Sequence, residues 1–403
     1  MREYERLLAE AQIITPTTYT AGLPVWRERG LVAARLLIDR YTQEVSEHLG
    51  KPLLVEHPFT LPAAPYRAIF EEYQNIYRAE VPDIGQAVLR PDNMHANVDL
   101  LRRTAGPGPV IATGGLLRSM RRGASPLFRD RYMWPAVQLN QLVPPSDSRS
   151  VLDVHQSVLE RTFRAAGLPV VSVQTDALSS YGRTCYLTVS CLPDGRPTVL
   201  STSYIMSDRY RSALGGSDDV IDIGFTGKVI ALIALHHWDS HGLQLPTSLA
   251  PTQVGVITDG EIPSIDAAYQ QSGLRVSILR TRQRQRAERR LFRIGVPVLV
   301  GLHRDGGVRL TSRAPLKREQ YRTAPAPHLL RDELAAYDDR LLSRAQRRFD
   351  RGLRDTALLR GMCRSCATSA PVFGWTIPDR LRECGDCGLP GREALVAPSG
   401  RFY

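Results

Sequence analysis

Lysine is almost absent from this chain of 403 residues. Only Lys51, Lys228 and Lys317 are lysines, and the rest of the 52 basic residues are arginines. The formal net charge of +11 favours a polyanionic partner such as RNA. An arginine bias of this kind is also typical of a GC-rich coding sequence. The charge alone therefore does not decide whether the chain binds nucleic acid.

Long apolar segments are also missing. The sequence has no run of 18 apolar residues, and its start, MREYERLLAEAQ, lacks the apolar core of a signal peptide. We therefore expect a cytoplasmic protein that does not bind membranes. The hydrophobic fraction of 43% and the charged fraction of 23% are those of a soluble globular protein, and the length suffices for two or three domains.

Cysteine is scarce, with six residues, but four of them cluster near the C-terminus. Two residues separate Cys363 from Cys366, and two separate Cys384 from Cys387, a spacing typical of zinc ribbons. Four thiolates complete a closed tetrahedral site, so we predict a structural Zn²⁺ in a small C-terminal module. The segment between the pairs is too short and loop-rich to form a core by itself. A redox pair or disulfides are the alternative.

The first half of the chain predicts an antiparallel sheet with flanking helices. A helical pattern covers residues 25–49, with Leu31 and Leu37 on its apolar face, and PLLVEHPFTLP reads as a buried strand after it. PVIATGGLLRSM and PLFRDRYMWPAVQLNQL predict two strands joined by a basic loop, and residues 148–166 predict a helix. VVSVQT, RTCYLTVSCL and PTVLSTSYIM predict three more strands.

From residue 253 the pattern changes to alternating strands and helices, which predicts a small α/β domain. A proline-rich linker follows. Leu330, Leu334, Tyr337 and Leu341 then mark an amphipathic helix that leads to the cysteines. We predict three domains, over residues 1–247, 248–328 and 329–403.

The stretch GFTGKVIALIALHHWDSHGLQLPTSLAPTQVGVI, residues 224–257, is the most informative of the chain. It resembles the join between the catalytic and anticodon-binding domains of prolyl-tRNA synthetase, a class II aminoacyl-tRNA synthetase, of the archaeal and eukaryotic type. TPTTYTAGLPVW, RPDNM, PLFRDRYMWP, STSY and IGVPVLVGLHRD extend the resemblance, in order, over nearly the whole chain. It implies an α+β class II catalytic core, an anticodon-binding-like α/β domain, a homodimer, and tRNA, ATP and Mg²⁺ as ligands.

The resemblance also assigns an ATP site, with departures from the family pattern. Arg118 stands where the family binds the α-phosphate, and Arg129 is assigned to ATP as well. Met133 replaces a phenylalanine that stacks on adenine, and Met120 replaces a glutamate. Lys228 replaces an arginine that stacks on adenine and touches the γ-phosphate. Lysine holds a phosphate as a point charge but cannot stack in this way, so we expect weaker ATP binding or a decayed site.

The amino-acid pocket departs further. The resemblance places Asp92, Trp134 and Tyr204 in it, but two family glutamates are replaced by Met94 and Ala136. Asp92 is alternatively a helix cap. Proline is a cation at neutral pH, and burying it needs a carboxylate. We therefore expect poor recognition of proline. An acid that binds is either less cationic or places its amine against a group that the sequence does not reveal.

Two functional hypotheses from different classes follow. The first is a divergent paralog that activates an amino or carboxylic acid with ATP as an acyl-adenylate. It passes the acyl group to tRNA or to a non-tRNA acceptor, in specialised metabolism. The alternative is a catalytically inactive pseudo-synthetase that binds tRNA or a protein. An ordinary housekeeping prolyl-tRNA synthetase fits less well, because several pocket positions differ.

Overall fold

A computed structural model describes residues 2–16, 23–70, 76–104, 108–119, 127–128, 132–260, 268–303, 307–313 and 316–397. The helices considered below are α1 (Glu3–Glu10), α2 (Glu28–Leu49), α3 (Ala63–Phe70), α4 (Met94–Thr104), α5 (Ser148–Ala165), α6 (Asp208–Leu214), α7 (Lys228–His236), α8 (Arg284–Arg293), α9 (Pro327–Phe349) and α10 (Arg364–Ala367). A π-helical turn, Asp350–Arg354, follows α9. Within these ranges, no helix is both long enough and apolar enough to cross a membrane.

The strands of the first half are β1 (Ile14–Thr15), β2 (Val25–Trp26), β3 (Leu53–Val55), β4 (Thr60–Pro62), β5 (Arg78–Val81), β6 (Gly85–Leu89), β7 (Val110–Ala112), β8 (Leu116–Leu117), β9 (Tyr132–Met133), β10 (Ala136–Val143), β11 (Val171–Gln174), β12 (Gly182–Cys191) and β13 (Pro197–Met206). Those of the second half are β14 (Asp219–Thr226), β15 (Trp238–Asp239), β16 (Gly242–Leu243), β17 (Val254–Thr258), β18 (Val276–Arg280), β19 (Val298–Leu302), β20 (Val308–Arg313), β21 (Leu316–Tyr321), β22 (Leu359–Met362), β23 (Val372–Ile377), β24 (Leu381–Glu383) and β25 (Pro390–Val396).

A large sheet forms the centre of the molecule. Its strand order is β22-β25-β23-β11-β12-β13-β14-β10-β7-β3, with β24 added beside β25. The pairs are antiparallel except for β3 with β7, which is parallel. The predicted antiparallel sheet with flanking helices is therefore present.

One face of this sheet carries the main core, because side chains alternate between the two faces of a strand. Ile221, Ile223 and Phe225 of β14 pack with residues of α2, α5 and α7 in a single apolar cluster. The helix α7 is apolar all round and almost wholly buried, as expected of a helix inside a core. The opposite face of β14 does not pack in this core.

The α/β region has a second sheet with the order β18-β17-β19-β20-β21. Strand β17 runs parallel to both β18 and β19, and the remaining pairs are antiparallel. Helix α9 buries Leu330, Leu334, Tyr337 and Leu341, the face that the sequence predicts. The alternating pattern also predicts a helix at residues 264–271; residues 268–271 are helical, and residues 264–267 lie outside the described residues.

The C-terminal strands extend the central sheet. Strand β23 pairs with β11 in the register Val173 with Thr376, so β22 to β25 continue the sheet formed by the first half of the chain. The approach is close at Gly374, where a Cβ atom would lie 2.6 Å from the carbonyl oxygen of Gln174. The C-terminal strands are thus stabilised by pairing with the central sheet. The sequence pattern did not indicate this pairing.

The first predicted helix and strand differ from the expectation. The helix begins at Glu28 rather than Val25, since β2 takes the first residues, and Leu31 is 47% exposed rather than packed. Leu53 and Leu54 of β3 are each 45% exposed, so this strand is not buried as predicted. Strand β3 is also the last strand of the central sheet. Among the described residues, nothing covers this apolar edge of the sheet.

Candidate active site

A cavity of about 330 Å³ opens on the face of the central sheet that is turned away from the main core. It lies over β10, β13 and β14, and the segment before α4, the end of β8 and the start of α7 close its sides. Its polar and charged lining includes Asp92, Arg118, Gln138, Tyr204, Asp222 and Lys228. Four of these residues, Asp92, Arg118, Tyr204 and Lys228, are candidate site residues from the sequence.

Asp92 lies in the turn before α4 and is 6% exposed. One carboxylate oxygen, Oδ1, accepts a hydrogen bond from the backbone N–H of Met94 at 3.0 Å, as the predicted helix cap requires. The other oxygen, Oδ2, is buried and has no hydrogen-bond partner among the described residues. Burial raises the pKa of Asp92 to about 6, the charge of Arg118 opposes this shift, and Asp222 adds to it. Asp92 is thus both a cap and a carboxylate left partly unsatisfied at the cavity.

Asp222 is the second carboxylate of the cavity, and the sequence analysis did not identify it. Its Oδ1 accepts hydrogen bonds from Gln138 Nε2 at 2.7 Å and from Asn140 Nδ2 at 2.8 Å. Burial raises its pKa, and the two amide donors and the charge of Arg118 oppose that shift. The amides therefore fix the orientation of Asp222 without neutralising it.

The strand register explains why these groups meet. Asp222 lies opposite Asn140 of β10 on one side and opposite Tyr204 of β13 on the other. Directly paired residues project from the same face of a sheet, so all three side chains point toward the cavity side. Gln138 is two positions from Asn140 and shares that face. It also accepts a hydrogen bond from the backbone N–H of Asn93 at 2.6 Å, which joins the strand to the turn before α4.

Arg90 positions the turn that carries Asp92. Its guanidinium is buried and donates to the backbone carbonyl of Gly115 through Nη2 at 2.8 Å and through Nε at 3.2 Å. It also donates to the carbonyl of His57. Gly115 immediately precedes β8, which leads to Arg118. The buried arginine therefore fixes the position of the turn that carries Asp92 relative to β8, the strand that precedes Arg118.

Lys228 is the first residue of α7 and is 9% exposed. Its ammonium lies 5.6 Å from the ring centroid of Phe128, and among the described residues no carboxylate lies within ion-pair distance of it. Burial lowers its pKa to about 8. A cation at a helix N-terminus that lacks an anionic partner is suited to a phosphate, because the helix dipole favours negative charge there.

The turn before Lys228 is fixed by the backbone of Trp134 and Pro135, just before β10. The N–H of Gly227 donates to the carbonyl of Pro135 at 2.8 Å. A Cβ atom at position 227 would lie 2.5 Å from the carbonyl oxygen of Trp134, so only glycine fits. The indole of Trp134 packs against Trp26, with ring centroids 4.6 Å apart. Trp134 thus supports the turn before Lys228, and it is not among the residues that line the cavity.

Aromatic and thioether side chains form the remaining wall. The ring of Tyr181 is 6.4 Å from that of Tyr204 and stacks at 6.3 Å on that of Tyr210. Met94 and Met206 line the cavity beside them. Met133 forms part of β9, opposite Leu116 of β8, and is not among the lining residues. Arg129 and Met120 lie outside the described residues.

The histidines after α7 do not form a metal site among the described residues. His236 and His237 are fully buried, and their Nε2 atoms lie 2.8 Å and 2.9 Å from the carbonyls of Cys191 and Gly167 respectively. Asp239 is instead paired with Arg313, with Oδ1 2.7 Å from Nη2. These residues instead join parts of the core.

The four C-terminal cysteines come together. Their sulfur atoms all lie within 4.8 Å of one another, and Cys363 Sγ is 3.6 Å from Cys387 Sγ. In a tetrahedral zinc site with Zn–S distances of about 2.3 Å, the sulfur atoms are about 3.8 Å apart. The cluster therefore fits Zn²⁺. Cys363 and Cys366 lie at either end of the first turn of α10, and Gly388 ends the turn that carries the second pair.

A signal for Asp222 does exist in the sequence. In DVIDIGFT, an acidic residue interrupts an apolar strand at a position that alternates with Ile221 and Ile223. A charge at that period points away from the core face and toward whatever covers the other face. The sequence does not show what that is, because Gln138, Asn140 and Asp92 come from distant segments.

Comparison with known proteins places this geometry in a known architecture. No family sequence model and no curated protein sequence matches the chain. Three solved structures superpose on it: prolyl-tRNA synthetase from Giardia lamblia in complex with prolyl-adenylate (TM-score 0.81, 16% identity), and that from Cryptosporidium parvum with halofuginone and AMPPNP (0.82, 14%) or with L-proline and AMP (0.79, 15%). Each alignment covers 99% of this chain and 97% of the other. The predicted resemblance is confirmed at the level of the fold: over nearly its whole length, this chain has the fold of the prolyl-tRNA synthetases.

Proposed function

We propose that the chain is an ATP-dependent, AMP-forming ligase that activates an amino or carboxylic acid as an acyl-adenylate. The acyl group then passes to tRNA or to a non-tRNA acceptor, in specialised metabolism. The observation that carries the proposal is the cavity, where Arg118 and Lys228 face Asp92 and Asp222. Two of the superposed synthetases were solved with prolyl-adenylate or with proline and AMP, ligands of the same kind of reaction.

The cations supply what an adenylation needs. When a carboxylate attacks the α-phosphate of ATP, negative charge increases on the phosphoryl oxygens and pyrophosphate leaves. Arg118 binds the α-phosphate and the attacking carboxylate in this proposal. Lys228, at the N-terminus of α7, holds a further phosphate as a point charge. A phosphate beside Lys228 also removes the cost of burying an unpaired ammonium.

Mg²⁺ would enter with ATP in this scheme. Among the described residues, the only groups of three or more close metal-ligating side chains are the cysteine cluster and Glu44, Glu47 and His48, which are away from the cavity. Mg²⁺ commonly keeps several waters and binds through substrate phosphates. When bound, it would neutralise phosphate charge during the transfer.

Pyrophosphate exchange tests the proposal. Purified protein is assayed with ATP, Mg²⁺ and a panel of the standard amino acids and simple carboxylic acids. We expect exchange with at least one acid, and Arg118→Ala should lower it by about 10²–10³-fold, since one charge-stabilising donor is worth that much. Arg103→Ala, which removes an exposed arginine of α4, is the matched control. Absence of exchange with every acid would reject the ligase and favour the alternative, a pseudo-synthetase that binds tRNA or a protein.

Proline should be a poor substrate in the same assay. Met94 and Ala136 line the cavity where the resembled family carries glutamates, and Tyr204 stands in place of a histidine. The carboxylates that this cavity does offer, Asp92 and Asp222, come from other positions, so a cation must bind in a different place. Proline-dependent exchange at a rate normal for a synthetase would instead indicate a housekeeping enzyme.

The open apolar edge supports a homodimer. Leu31 of α2, Leu53 and Leu54 of β3, and Phe59 between β3 and β4 are 44–47% exposed. We expect light scattering at micromolar concentration to give the mass of a dimer. Leu54→Arg should give a monomer, whereas Leu381→Arg, at an 85% exposed position far along the chain, should not. A monomeric unmodified protein would contradict the proposal.

The arginines of the α/β region support tRNA as one acceptor. Arg286, Arg289, Arg290 and Arg293 of α8 are exposed, whereas Arg284 pairs with Asp259 at 3.0 Å. An exposed arginine row suits a phosphate backbone. The division into residues 1–247, 248–328 and 329–403, the structural Zn²⁺ and a cytoplasmic location complete the proposal.

A further inference from the structure

A buried carboxylate oxygen without a partner marks the cavity as a site for a cation. Asp92 is 6% exposed, and within the described part of the chain its Oδ2 has no hydrogen-bond partner. A buried polar atom left unpaired costs about 1–3 kcal/mol, more when the group is charged. Because Asp92 lines the cavity, a ligand that enters is the group that can satisfy this oxygen.

Asp222 brings a second negative charge to the same cavity. Its Oδ1 is used by Gln138 and Asn140, which are neutral and leave the charge in place. The charge of Arg118 acts on both carboxylates, and Lys228 lies in the same cavity. Once the phosphates of ATP take up these two cations, Asp92 and Asp222 need a different positive partner.

The walls favour an organic cation over a metal ion. Mg²⁺ prefers six oxygen ligands in near-octahedral geometry. Each of the two aspartates has one oxygen already occupied, by Met94 N–H in one case and by two amides in the other. Tyr181, Tyr204 and Tyr210 contribute a stacked aromatic wall, and aromatic faces attract ammonium groups.

We propose that Asp92 and Asp222 together bind the protonated amine of the activated acid, so that the substrate is an amino acid rather than an uncharged carboxylic acid. The inference rests on the proposed ligase function and specifies its substrate class. Asp222 is then the specificity-determining residue: it supplies the negative charge that Met94 and Ala136 do not. The amine meets a group that sequence comparison alone does not reveal.

Thermal shift and pyrophosphate exchange, measured on the same samples, test the inference. The probes are the standard amino acids, β-alanine and 4-aminobutyrate, each beside its deaminated counterpart, such as 3-phenylpropionate for phenylalanine. We expect at least one amino acid to raise the Tm by about 3 °C or more when present well above its Kd, and its deaminated counterpart to have little effect. Asp222→Asn should weaken that binding about 100-fold or more, as expected when a buried charge loses its partner.

The Asp222→Asn variant distinguishes the effect of the carboxylate charge from an effect on the fold. Asparagine at position 222 still offers an oxygen to Gln138 and Asn140, so the fold is retained and only the charge is lost. Asp218→Asn makes the same change at an exposed position just before β14, and should leave binding unaltered. Equal binding by the Asp222→Asn variant would overturn the inference.

The remaining outcomes are also decisive. Equal binding or exchange with deaminated acids, or no binding by any amine-bearing acid, would overturn the inference. Stabilisation by Mg²⁺ alone that disappears in Asp222→Asn would also overturn it, because the aspartates would then be metal ligands. An amino acid that binds through Asp222 without any exchange would support the amine site and reject the ligase. The two proposals therefore fail separately.

Discussion

Two regions of this chain bury charge in opposite ways. At the junction of the central sheet and the α/β region, the fully buried Arg313 donates to Asp239 and to the carbonyls of Gly242, Leu243 and Phe292. Burial alone would raise the pKa of Asp239, but the hydrogen bonds and charge of Arg313 hold it below its usual value. In the cavity, burial instead raises the pKa of Asp92 to about 6 and lowers that of Lys228 to about 8.

The two regions differ in whether their buried charges have partners, and this difference distinguishes a structural role from a binding role. A buried charge with all its partners costs little to keep and fixes the geometry of a junction. A buried charge without a partner lowers stability, and a folded chain keeps it only where another group completes it. Removing a charge should therefore destabilise the first region and stabilise the second.

The largest expected effect on stability is at the cysteine cluster. Like Arg313 and Asp239, its four side chains are expected to have all their partners. One zinc per chain should be measured by elemental analysis under reducing, chelator-free conditions. Cys363→Ser should lose most of the metal and lower the Tm before it changes any chemistry, because structural zinc contributes about 10 kcal/mol or more in isolated zinc fingers. Cys191→Ser, in the buried β12, should keep its zinc. Clearly substoichiometric zinc in the unmodified protein would contradict the prediction.

Arg313→Met should give the next largest effect. It leaves Asp239 and three carbonyls without their donor, so we expect a loss of about 3–5 kcal/mol in the free energy of unfolding, measured with urea. Arg289→Met, at an exposed position of α8, should change stability by less than about 0.5 kcal/mol. A neutral result for Arg313→Met would remove the contrast between the two regions.

Lys228→Met should act in the opposite direction. A lysine pKa lowered from 10.5 to about 8 corresponds to roughly 3 kcal/mol of penalty for the buried ammonium. The penalty is complete below pH 8 and disappears as the pH rises toward 10.5, since the unfolded chain then loses the proton too. We expect the variant to be about 1–3 kcal/mol more stable at pH 7, less so at pH 9.5, and weaker in ATP binding. A destabilised variant would show that the ammonium has a structural partner.

Asp92→Asn should have the smallest effect on stability. The folded pKa of about 6 lies above the ordinary 3.8, so the unmodified protein loses stability as the pH rises from about 4 to 6. Asparagine keeps an acceptor for Met94 N–H and carries no charge. Unfolding at pH 7.5 should show a gain of about 1–2 kcal/mol, and the gain should vanish near pH 4. A gain that does not change with pH would mean that the carboxylate charge is not its cause.

Local patterns predicted much of the fold. The helix predicted at residues 148–166 is α5, Ser148–Ala165, and the buried face of α9 is the predicted one. The cysteine spacing predicted the cluster of four sulfur atoms. Such features succeed because the residues that define them are near in sequence, so the period of a helix or the reach of a knuckle is enough to bring them together.

Sequence patterns did not predict burial correctly where it depends on segments that are distant in the chain. Leu31 fits the apolar period of α2 but is exposed, because no described segment of the same chain covers it. The helical period of apolar residues shows that one face of α2 is apolar. It does not show whether the core or a second copy of the chain covers that face.

By itself, the sequence indicated the order of the main elements, the resemblance to the prolyl-tRNA synthetase fold, the cysteine cluster and two of the cations that line the cavity, Arg118 and Lys228. Only the tertiary structure decided the charge and lining of the cavity. Asp222 becomes a site residue because β14 lies between β10 and β13 in a register that aligns it with Asn140 and Tyr204. Asp92 reaches the same cavity from a turn that Arg90 holds. Strand pairing and buried hydrogen bonds join segments far apart in the chain, and no local pattern contains that information.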